Sequence, residues 1–162
     1  MVGIGYDIHK LVEKKQLFLG GVKIDYHLGL LGHSDGDVLL HAICDALLGA
    51  ANLGDIGLHF PPDDKKYKDI SSLKLLKKVG DFLKNSGFFV KNIDAVVIAE
   101  KPKILPYVQE MKKTIAHILS MNPEHISIKG KTNEGIGDIG ENKAIAALAV
   151  CEIGRIYDSP ER

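Results

Sequence analysis

The sequence predicts a single α/β domain of the α+β type, in which helices cover one mixed β-sheet. Segments with the two-residue period of strands alternate with segments that have the helical period of 3.6 residues. The 162 residues are about the length of one domain, and they contain no internal repeat, low-complexity segment or linker. We therefore treat residues 1–162 as one domain with one core.

The first half of the chain carries strand, hairpin and helix signals in that order. Residues 2–9 alternate as a strand does, and QLFLGGVKI places two apolar arms around Gly20-Gly21, which is typical of a hairpin. A helix is predicted from about residue 36 to residue 52, with Gly54 as its stop signal. Its apolar stripe comprises Leu39, Leu40, Ile43, Leu47 and Ala50. The stretch that follows, up to Ile70, is a long loop with two prolines.

The second half continues the alternation. Ser71 or Ser72 is expected to cap a helix that ends at Gly87, and Leu105 to Met121 form another helix that opens with a proline. FFVKNIDAVVIAE reads as one strand or two paired segments, HISIKG as a strand and KTNEGIGDIGEN as a polar, glycine-rich loop. The closing AIAALAVCEIGRI is small and apolar, so the sequence leaves strand and helix open there.

Charge and cysteine content restrict the class of protein. Lys+Arg and Asp+Glu both number 21, so no excess charge indicates a nucleic-acid or membrane partner. Cys44 and Cys151 stand far apart in apolar surroundings, which predicts buried, reduced thiols. With no signal-peptide pattern and no apolar run of 18 residues, we expect a soluble cytoplasmic protein, or a plastid or apicoplast stromal one after removal of a transit peptide.

Two histidines and a carboxylate form the most informative constellation. On the opening strand GIGYDIHK, Ile4, Tyr6 and Ile8 are predicted to share the buried face, while Asp7 and His9 share the other face. His41 lies on the first helix, so these three side chains can meet where the strand touches the helix and form a typical Zn²⁺ ligand set. Asp37 and Asp45, four residues to either side of His41, are candidates to orient its imidazole. Surface ion pairs would give the same spacing.

Three loops add candidate ligand groups. GHSDGD contains His33, suited to a phosphate contact or proton transfer, and Ser34 and Asp35, which are equally suited to act as plain helix caps. GDIG, at 54–57, allows backbone amides to approach a ligand, or forms a simple turn. In the loop that begins at residue 131, a lysine, a hydroxyl and a carboxylate would suit a phosphate bridged by Mg²⁺, although a solvated loop is equally compatible.

Two glycine-rich motifs near the C-terminus do not qualify as nucleotide fingerprints. GKT lacks the P-loop glycine five residues earlier, where His125 stands. GIGDIG is followed by only 22 residues, too few for a dinucleotide fold, and its neighbouring carboxylates would repel a pyrophosphate.

The chain resembles the 2-C-methyl-D-erythritol 2,4-cyclodiphosphate synthase family of the non-mevalonate isoprenoid pathway. The matching stretches, in order, are GYDIH, LGHSDGDVLLHAICDALLGAANLGDIGLHFP, AEKPKILPY and IKGKTNEGIG. This resemblance implies a homotrimer with active sites between subunits. It implies a divalent metal, usually zinc, on Asp7, His9 and His41, and Mg²⁺ or Mn²⁺ on Glu134. His33 and Thr132 would position the reacting phosphates.

The resemblance also implies two substrate pockets. One would hold the methylerythritol phosphate and would be lined by the loop from Phe60 to Asp64 and by further residues before it. The residues implied are His33, Ser34, Asp55, Ile56, Gly57, Phe60, Asp63 and Asp64. The other would hold cytidine through Ala99, Pro102, Lys103, Ile104, Leu105, Gly130, Lys131 and Thr132. The implied reaction is attack of the 2-phosphate of 4-diphosphocytidyl-2-C-methyl-D-erythritol 2-phosphate on its own β-phosphorus, with release of CMP. A metal-dependent phosphohydrolase and a non-catalytic cytidine-nucleotide-binding trimer are the alternatives.

The chain departs from the commonest bacterial pattern of this family at a few positions. Asp138 and Glu141 stand where many members have a phenylalanine and an arginine facing the trimer channel, so no role is carried over to them. Lys131 replaces a threonine, and FPPDD replaces FPDTD, so Asp63 is a less certain match than Asp55.

Overall fold

The structure, a computed structural model, describes residues 1–61, 63–64, 67 and 70–158. Five strands form one mixed sheet in the order β4-β1-β7-β5-β6, and β2 and β3 form a separate hairpin. The strands are β1 (Val2–Glu13), β2 (Leu17–Leu19), β3 (Val22–Ile24), β4 (Leu28–Leu30), β5 (Phe88–Ile98), β6 (Ile126–Lys131) and β7 (Ala144–Arg155). The helices are α1 (Val38–Ala50), α2 (Ile56–His59), α3 (Ser72–Asn85), α4 (Val108–Leu119) and α5 (Gly137–Gly140).

The predicted single α+β domain with a mixed, helix-covered sheet is confirmed. Only β5 and β6 run parallel, while the β1–β4, β1–β7 and β5–β7 pairs are antiparallel. The closing segment that the sequence left open is strand β7, which pairs on both sides and whose small alanines lie in the core. No helix in the described ranges combines the length and the apolar character needed to cross a membrane.

Several predicted boundaries shift for local reasons. Helix α1 begins at Val38 because the side chain of Asp37 caps it by accepting the N–H of Leu40. The predicted helix from Leu105 opens instead with a 3₁₀ turn, Leu105–Tyr107, before α4. The segment 88–98 is one strand with an irregularity between Val90 and Asn92. The predicted glycine-rich loop contains the short helix α5.

The prediction of the buried face of β1 was wrong. Ile4, Tyr6 and Ile8 are 66%, 54% and 43% exposed in the single chain. The opposite face carries Gly3 and Gly5, and these glycines lie against the backbone of α1. Alternation of apolar and polar residues identifies two faces but does not say which one the helix covers, and here the helix covers the face of Gly3, Gly5 and Asp7.

Candidate functional site

Asp7, His9 and His41 meet at one end of the contact between β1 and α1. His41 Nδ1 lies 2.8 Å from Asp7 Oδ2, His9 Nε2 lies 3.0 Å from the same oxygen, and the two ring nitrogens are 3.3 Å apart. These ligand atoms all lie within 4.8 Å of one another and could hold a metal ion. A tetrahedral zinc with bonds of about 2.0–2.1 Å separates its ligand atoms by roughly 3.3 Å, so the donor set and its spacing fit the ion.

Two glycines bring the strand and the helix close enough for this cluster. A Cβ atom on Gly3 would stand 2.1 Å from the carbonyl oxygen of Ala46, and one on Gly5 would stand 2.0 Å from that of Ala42. Because both glycines share the face of Asp7, the strand lies directly on the helix backbone. His41, the residue before Ala42, is then within hydrogen-bond distance of Asp7.

The charges in the cluster stabilise one another. Burial alone would lower the pKa of the His41 imidazole, but the hydrogen bond and charge of Asp7 outweigh burial and raise it above its usual value. Burial would likewise raise the pKa of Asp7, yet the hydrogen bonds and charges of both histidines bring it well below its usual range. The cluster therefore offers a charged carboxylate, and a proton on His41 competes with a metal ion for the same nitrogen.

The aspartates predicted to orient His41 do something else. The Asp37 carboxylate is fully buried and accepts the N–H groups of Gly20, Gly21 and Leu40, so it joins the β2–β3 turn to the start of α1. Asp45 accepts the N–H of Ile56 at 2.8 Å. Both carboxylates are occupied by backbone donors, and the imidazole hydrogen-bonds Asp7, Ser34 and Ser72 instead, so the prediction of this orienting role was wrong.

Two hydroxyls lie beside the other ring nitrogen of His41. Its Nε2 is 2.9 Å from Ser72 Oγ and 3.1 Å from Ser34 Oγ. Asp35, a candidate cap, hydrogen-bonds the backbone N–H and hydroxyl of Ser72 at the start of α3 rather than capping α1. Sequence analysis treated Ser72 only as a possible helix cap, whereas Ser71 performs that task. No spacing in the sequence relates Ser72 to His41, 31 residues away.

The cluster opens into a first cavity of about 240 Å³. Of the residues that the resemblance implies for the methylerythritol phosphate pocket or for phosphate positioning, the structure brings five to its wall: His33, Ser34, Ile56, Gly57 and Phe60. Asp45, Tyr67, Ile70 and Leu75 complete the lining beside the cluster, and the sequence suggested none of these four for the pocket.

Three carboxylates that the resemblance implies for this pocket do not line the cavity in the part of the chain that the structure describes. Asp55 caps α2 by accepting the N–H of Leu58, and Asp63 and Asp64 are exposed. Pro62, which falls within the implied loop 60–64, lies outside the described residues.

A second cavity of about 470 Å³ collects every residue that the resemblance implies for cytidine. These residues are Ala99, Pro102, Lys103, Ile104, Leu105, Gly130, Lys131 and Thr132. The parallel β5–β6 pair explains the grouping, since Ile98 lies opposite Lys131 and both chain segments leave the sheet at the same edge. Glu100, within the implied segment 99–105, also lines the cavity, and further lining residues that the sequence did not suggest are Val97, Val108, Ile128 and Lys129.

A tight turn beside the second cavity presents Thr132 and Glu134. The Thr132 hydroxyl donates to Glu134 Oε1 at 3.0 Å, and Glu134 has a φ of 52°. The Glu100 carboxylate accepts the N–H groups of Asn133 and Gly135 at 2.8 and 3.2 Å and thereby fixes the turn. The carboxylate of Glu134 stays exposed, which is compatible with a hard cation such as Mg²⁺.

The residues that depart from the family pattern form a local ion-pair group at α5. Lys143 pairs with Glu141, and its Nζ lies 4.0 Å from Asp138. The hydrogen bond and charge of Lys143 lower the pKa of Glu141. Both carboxylates are exposed, so the position is acidic and solvated in the single chain.

The two cavities lie apart within one chain. Asp7 is level with Ala147, Ala147 with Val97, and Val97 with Gly130, so three strand spacings separate Asp7 from Gly130 in the second cavity. That is roughly 14 Å. Among the described residues none lines both cavities; His33 belongs to the first and Thr132 to the second.

Comparison with known proteins places the chain among relatives of one kind. The 2-C-methyl-D-erythritol 2,4-cyclodiphosphate synthase of Agathobacter rectalis is 54% identical over 158 residues, which cover 98% of this chain and 89% of that protein. IspF of Plasmodium falciparum in complex with CDP has a TM-score of 0.83 at 39% identity over 95% of each chain. The bifunctional IspDF of Campylobacter jejuni has a TM-score of 0.92 at 42% identity, but the match covers 95% of this chain and only 42% of that longer one.

The family resemblance read from the motifs is therefore confirmed. A model of the YgbB family matches residues 1–154, nearly the whole chain. The chain belongs to the YgbB family.

Proposed function

We propose that this protein is a cyclising phosphorus–oxygen lyase, a 2-C-methyl-D-erythritol 2,4-cyclodiphosphate synthase of isoprenoid biosynthesis. The observation that carries the proposal is the Asp7-His9-His41 cluster at the wall of a cavity, in a chain 54% identical to a synthase of that name. We further propose that residues 1–162 act as one catalytic domain.

The reaction closes a ring within one substrate molecule. An oxygen of the 2-phosphate of 4-diphosphocytidyl-2-C-methyl-D-erythritol 2-phosphate forms a bond to the β-phosphorus, and the bond from that phosphorus to the oxygen bridging to the α-phosphorus breaks. CMP leaves with that oxygen and its electron pair. Because nucleophile and target are both anionic, the enzyme must offset repulsion and hold the two ends together.

Asp7, His9 and His41 would hold a divalent metal, with zinc as the expected ion. When bound, this ion supplies positive charge and Lewis acidity to the phosphate oxygens. The spacing of the three ligand atoms and the open cavity beside them support this assignment. His33 and Ser34, on the wall of the same cavity, would donate hydrogen bonds to the substrate, and the apolar side chains of Ile56 and Phe60 would exclude water from the methylerythritol.

Cytidine and the diphosphate would occupy the second cavity. The CDP complex of the Plasmodium falciparum relative supports a cytidine nucleotide as the ligand. Backbone at 99–105 and Gly130 would contact the base and ribose, and Lys103, Lys131 and Thr132 would face phosphate oxygens. Glu134 would hold Mg²⁺ or Mn²⁺ against the diphosphate, with Thr132 and Glu100 keeping its carboxylate in place.

The separation of the cavities supports active sites shared between copies of the chain. His33 and Thr132 are both proposed to position phosphates, yet they line different cavities of one chain. We propose a homotrimer in which the first cavity of one subunit adjoins the second cavity of the next. The exposed apolar residues of one sheet face, Val2, Ile4, Tyr6, Ile8 and Val150, would be buried in this trimer.

The direct test is to follow the phosphorus NMR spectrum of the substrate with the protein, Zn²⁺ and Mg²⁺. We expect the cyclic diphosphate and one CMP per turnover. A linear diphosphate or monophosphate would replace the proposal with a phosphohydrolase, in which water attacks instead of the internal phosphate. Tight cytidine-nucleotide binding without any product would leave a non-catalytic binding protein.

A further inference from the structure

The hydroxyl of Ser72 lies between the imidazole of His41 and the carboxylate of Asp35. Ser72 Oγ is 2.9 Å from His41 Nε2 and also hydrogen-bonds Asp35 Oδ1. Ser72 is completely buried, so no solvent replaces either contact. The three groups therefore form one row of hydrogen bonds. It ends at His41 Nε2, the ring nitrogen on the far side of the imidazole from Asp7 and His9.

The donors and acceptors in this row allow one consistent assignment. A carboxylate has no proton to donate, so the Ser72 hydroxyl must donate its single proton to Asp35. The Ser72 oxygen is then left as an acceptor, and it accepts the Nε2–H of His41. With one proton held on Nε2, Nδ1 faces Asp7 Oδ2 and His9 Nε2, 2.8 and 3.3 Å away. There it donates a second proton to the Asp7 carboxylate, or gives its lone pair to a metal ion that displaces that proton.

Asp35 is itself fixed by backbone donors. Its Oδ2 accepts the N–H of Ser72 at 2.9 Å, and its Oδ1 accepts the N–H of Asp37 at 3.2 Å. The carboxylate thus joins the loop before α1 to the first turn of α3. A histidine ligand whose second nitrogen donates to a fixed acceptor keeps its orientation and becomes more basic toward a metal.

We propose that Asp35 and Ser72 are positioning residues, which hold His41 in the form that presents Nδ1 to a metal ion. This inference rests on the proposed metal site, and it adds two residues to it that touch neither the metal nor the substrate. Ser34 Oγ, at 3.1 Å from the same nitrogen, also accepts the N–H of Gly36 and lines the first cavity. Ser34 Oγ also lies 3.4 Å from Ser72 Oγ, so it borders both this group and the cavity, whereas Ser72 is fully buried and contacts His41 and Asp35 directly.

The test compares three variants of the full chain in zinc titrations of the metal-free protein. Ser72→Ala should raise the zinc dissociation constant by about 10- to 100-fold, the usual loss for such outer contacts. Ser72→Thr keeps the hydroxyl and should recover most of the affinity. Ser71→Ala is the matched control, since Ser71 caps α3 through Leu73 N–H and has no hydrogen bond to His41. Thermal unfolding shows that each variant is folded.

A spectroscopic measurement separates positioning from a general loss of structure. In the zinc-loaded protein, the Nε2–H proton of His41 should give a slowly exchanging resonance that disappears or exchanges much faster in Ser72→Ala. Unchanged zinc affinity and an unchanged resonance in that variant would overturn the proposal, as would an equal loss of affinity in Ser71→Ala. Because neither measurement involves substrate, a failure of the proposed cyclisation would leave this result interpretable.

Discussion

The backbone carbonyl oxygen of Ala42 lies 2.0 Å from the position that a Cβ atom on Gly5 would occupy. No side chain fits there without moving α1 away from β1. His41 directly precedes Ala42 on the helix, so its 2.8 Å approach to the strand residue Asp7 depends on that same contact. Gly5 therefore controls the geometry of the Asp7-His9-His41 cluster as well as the packing of the core.

Gly5→Ala should consequently lower both stability and metal affinity. We expect a loss of about 1–3 kcal/mol in the free energy of unfolding, or more, because backbone atoms have to move. Zinc affinity should fall with it. Gly49→Ala on the same helix is the control: nothing lies within 4 Å of the added Cβ, so this change should stabilise the protein by about 0.5–1 kcal/mol. Chemical denaturation and zinc titration measure the two effects, and normal zinc binding in Gly5→Ala would contradict the argument.

His41→Ala should remove zinc and nearly abolish turnover while the chain stays folded. The side chain faces the first cavity, so its loss costs little packing, whereas two ligands remain for the ion. Zinc per chain by elemental analysis and the phosphorus NMR assay give the two readouts. His117→Ala on α4 changes an exposed histidine and should leave both at wild-type values. Full activity with stoichiometric zinc in His41→Ala would exclude His41 as a ligand.

Glu134→Gln should weaken the binding of Mg²⁺ while the zinc content is unchanged. The amide keeps the size of the side chain and can still accept from Thr132, but it lacks the charge that a hard cation requires. The Mg²⁺ concentration for half-maximal turnover should therefore rise. Equal loss of zinc and of Mg²⁺ response would argue against two separate metal sites.

Ile4→Asp should dissociate the proposed trimer without removing zinc. The residue is 66% exposed in the single chain, and a carboxylate there would be buried without a partner in the assembly. Because all three proposed zinc ligands belong to one chain, the dissociated protein should keep zinc but lose turnover. Analytical ultracentrifugation measures the state of assembly, with Asn85→Asp at the exposed end of α3 as a control for added charge. An active trimer of Ile4→Asp would place the interface elsewhere.

The free energy of unfolding should fall as the pH rises from about 4 to about 6, because the buried Asp37 carboxyl loses its proton in this range. Burial raises its pKa to about 6 from 3.8, against the hydrogen bonds from Gly20, Gly21 and Leu40, so the folded state binds this proton more tightly than the unfolded chain does. The stabilisation from the bound proton is complete below pH 3.8 and is lost as the pH passes about 6, a change of about 3 kcal/mol.

The measurement compares the pH dependence of unfolding in the wild type and in Asp37→Asn, which has no proton to lose. The variant is expected to be less stable at every pH, because an amide oxygen replaces only one of the two accepting oxygens. The informative quantity is the slope of the free energy of unfolding against pH between about pH 4 and about pH 6, which should be more negative in the wild type. Parallel curves would show that Asp37 keeps the same protonation state throughout.

Much of the fold was predictable because local signals agreed with the final structure. The Gly20-Gly21 hairpin, the Ser71 cap of α3 and the strand nature of residues 88–98 all follow from turn chemistry, capping and periodicity. Both cysteines are buried and free, as their apolar surroundings predicted. The closing strand β7 could not be assigned from its sequence, since its small apolar residues suit a buried helix equally well, and only pairing with β1 and β5 decides the matter.

The candidate site was likewise predictable from the sequence only in part. Asp7 and His9 on one strand face and His41 on a helix are a chemical pattern that the sequence displays, and the family motifs connect it to a reaction. Ser72, Asp35 and the backbone-bound Asp37 and Asp45 are partners chosen by proximity, and residue type and spacing contain no information about that proximity.

By itself, the sequence determined which residues are able to carry the chemistry, the order of most elements and the family, because these depend on residue type and local period. The tertiary structure decided which face of β1 meets α1, which carboxylates reach His41, and that the Asp7 cluster lies at β1 whereas the second cavity lies at β5 and β6. Those outcomes depend on the distances at which separate segments pack, and here the absence of side chains at Gly3 and Gly5, rather than the apolar alternation beside them, set the closest approach.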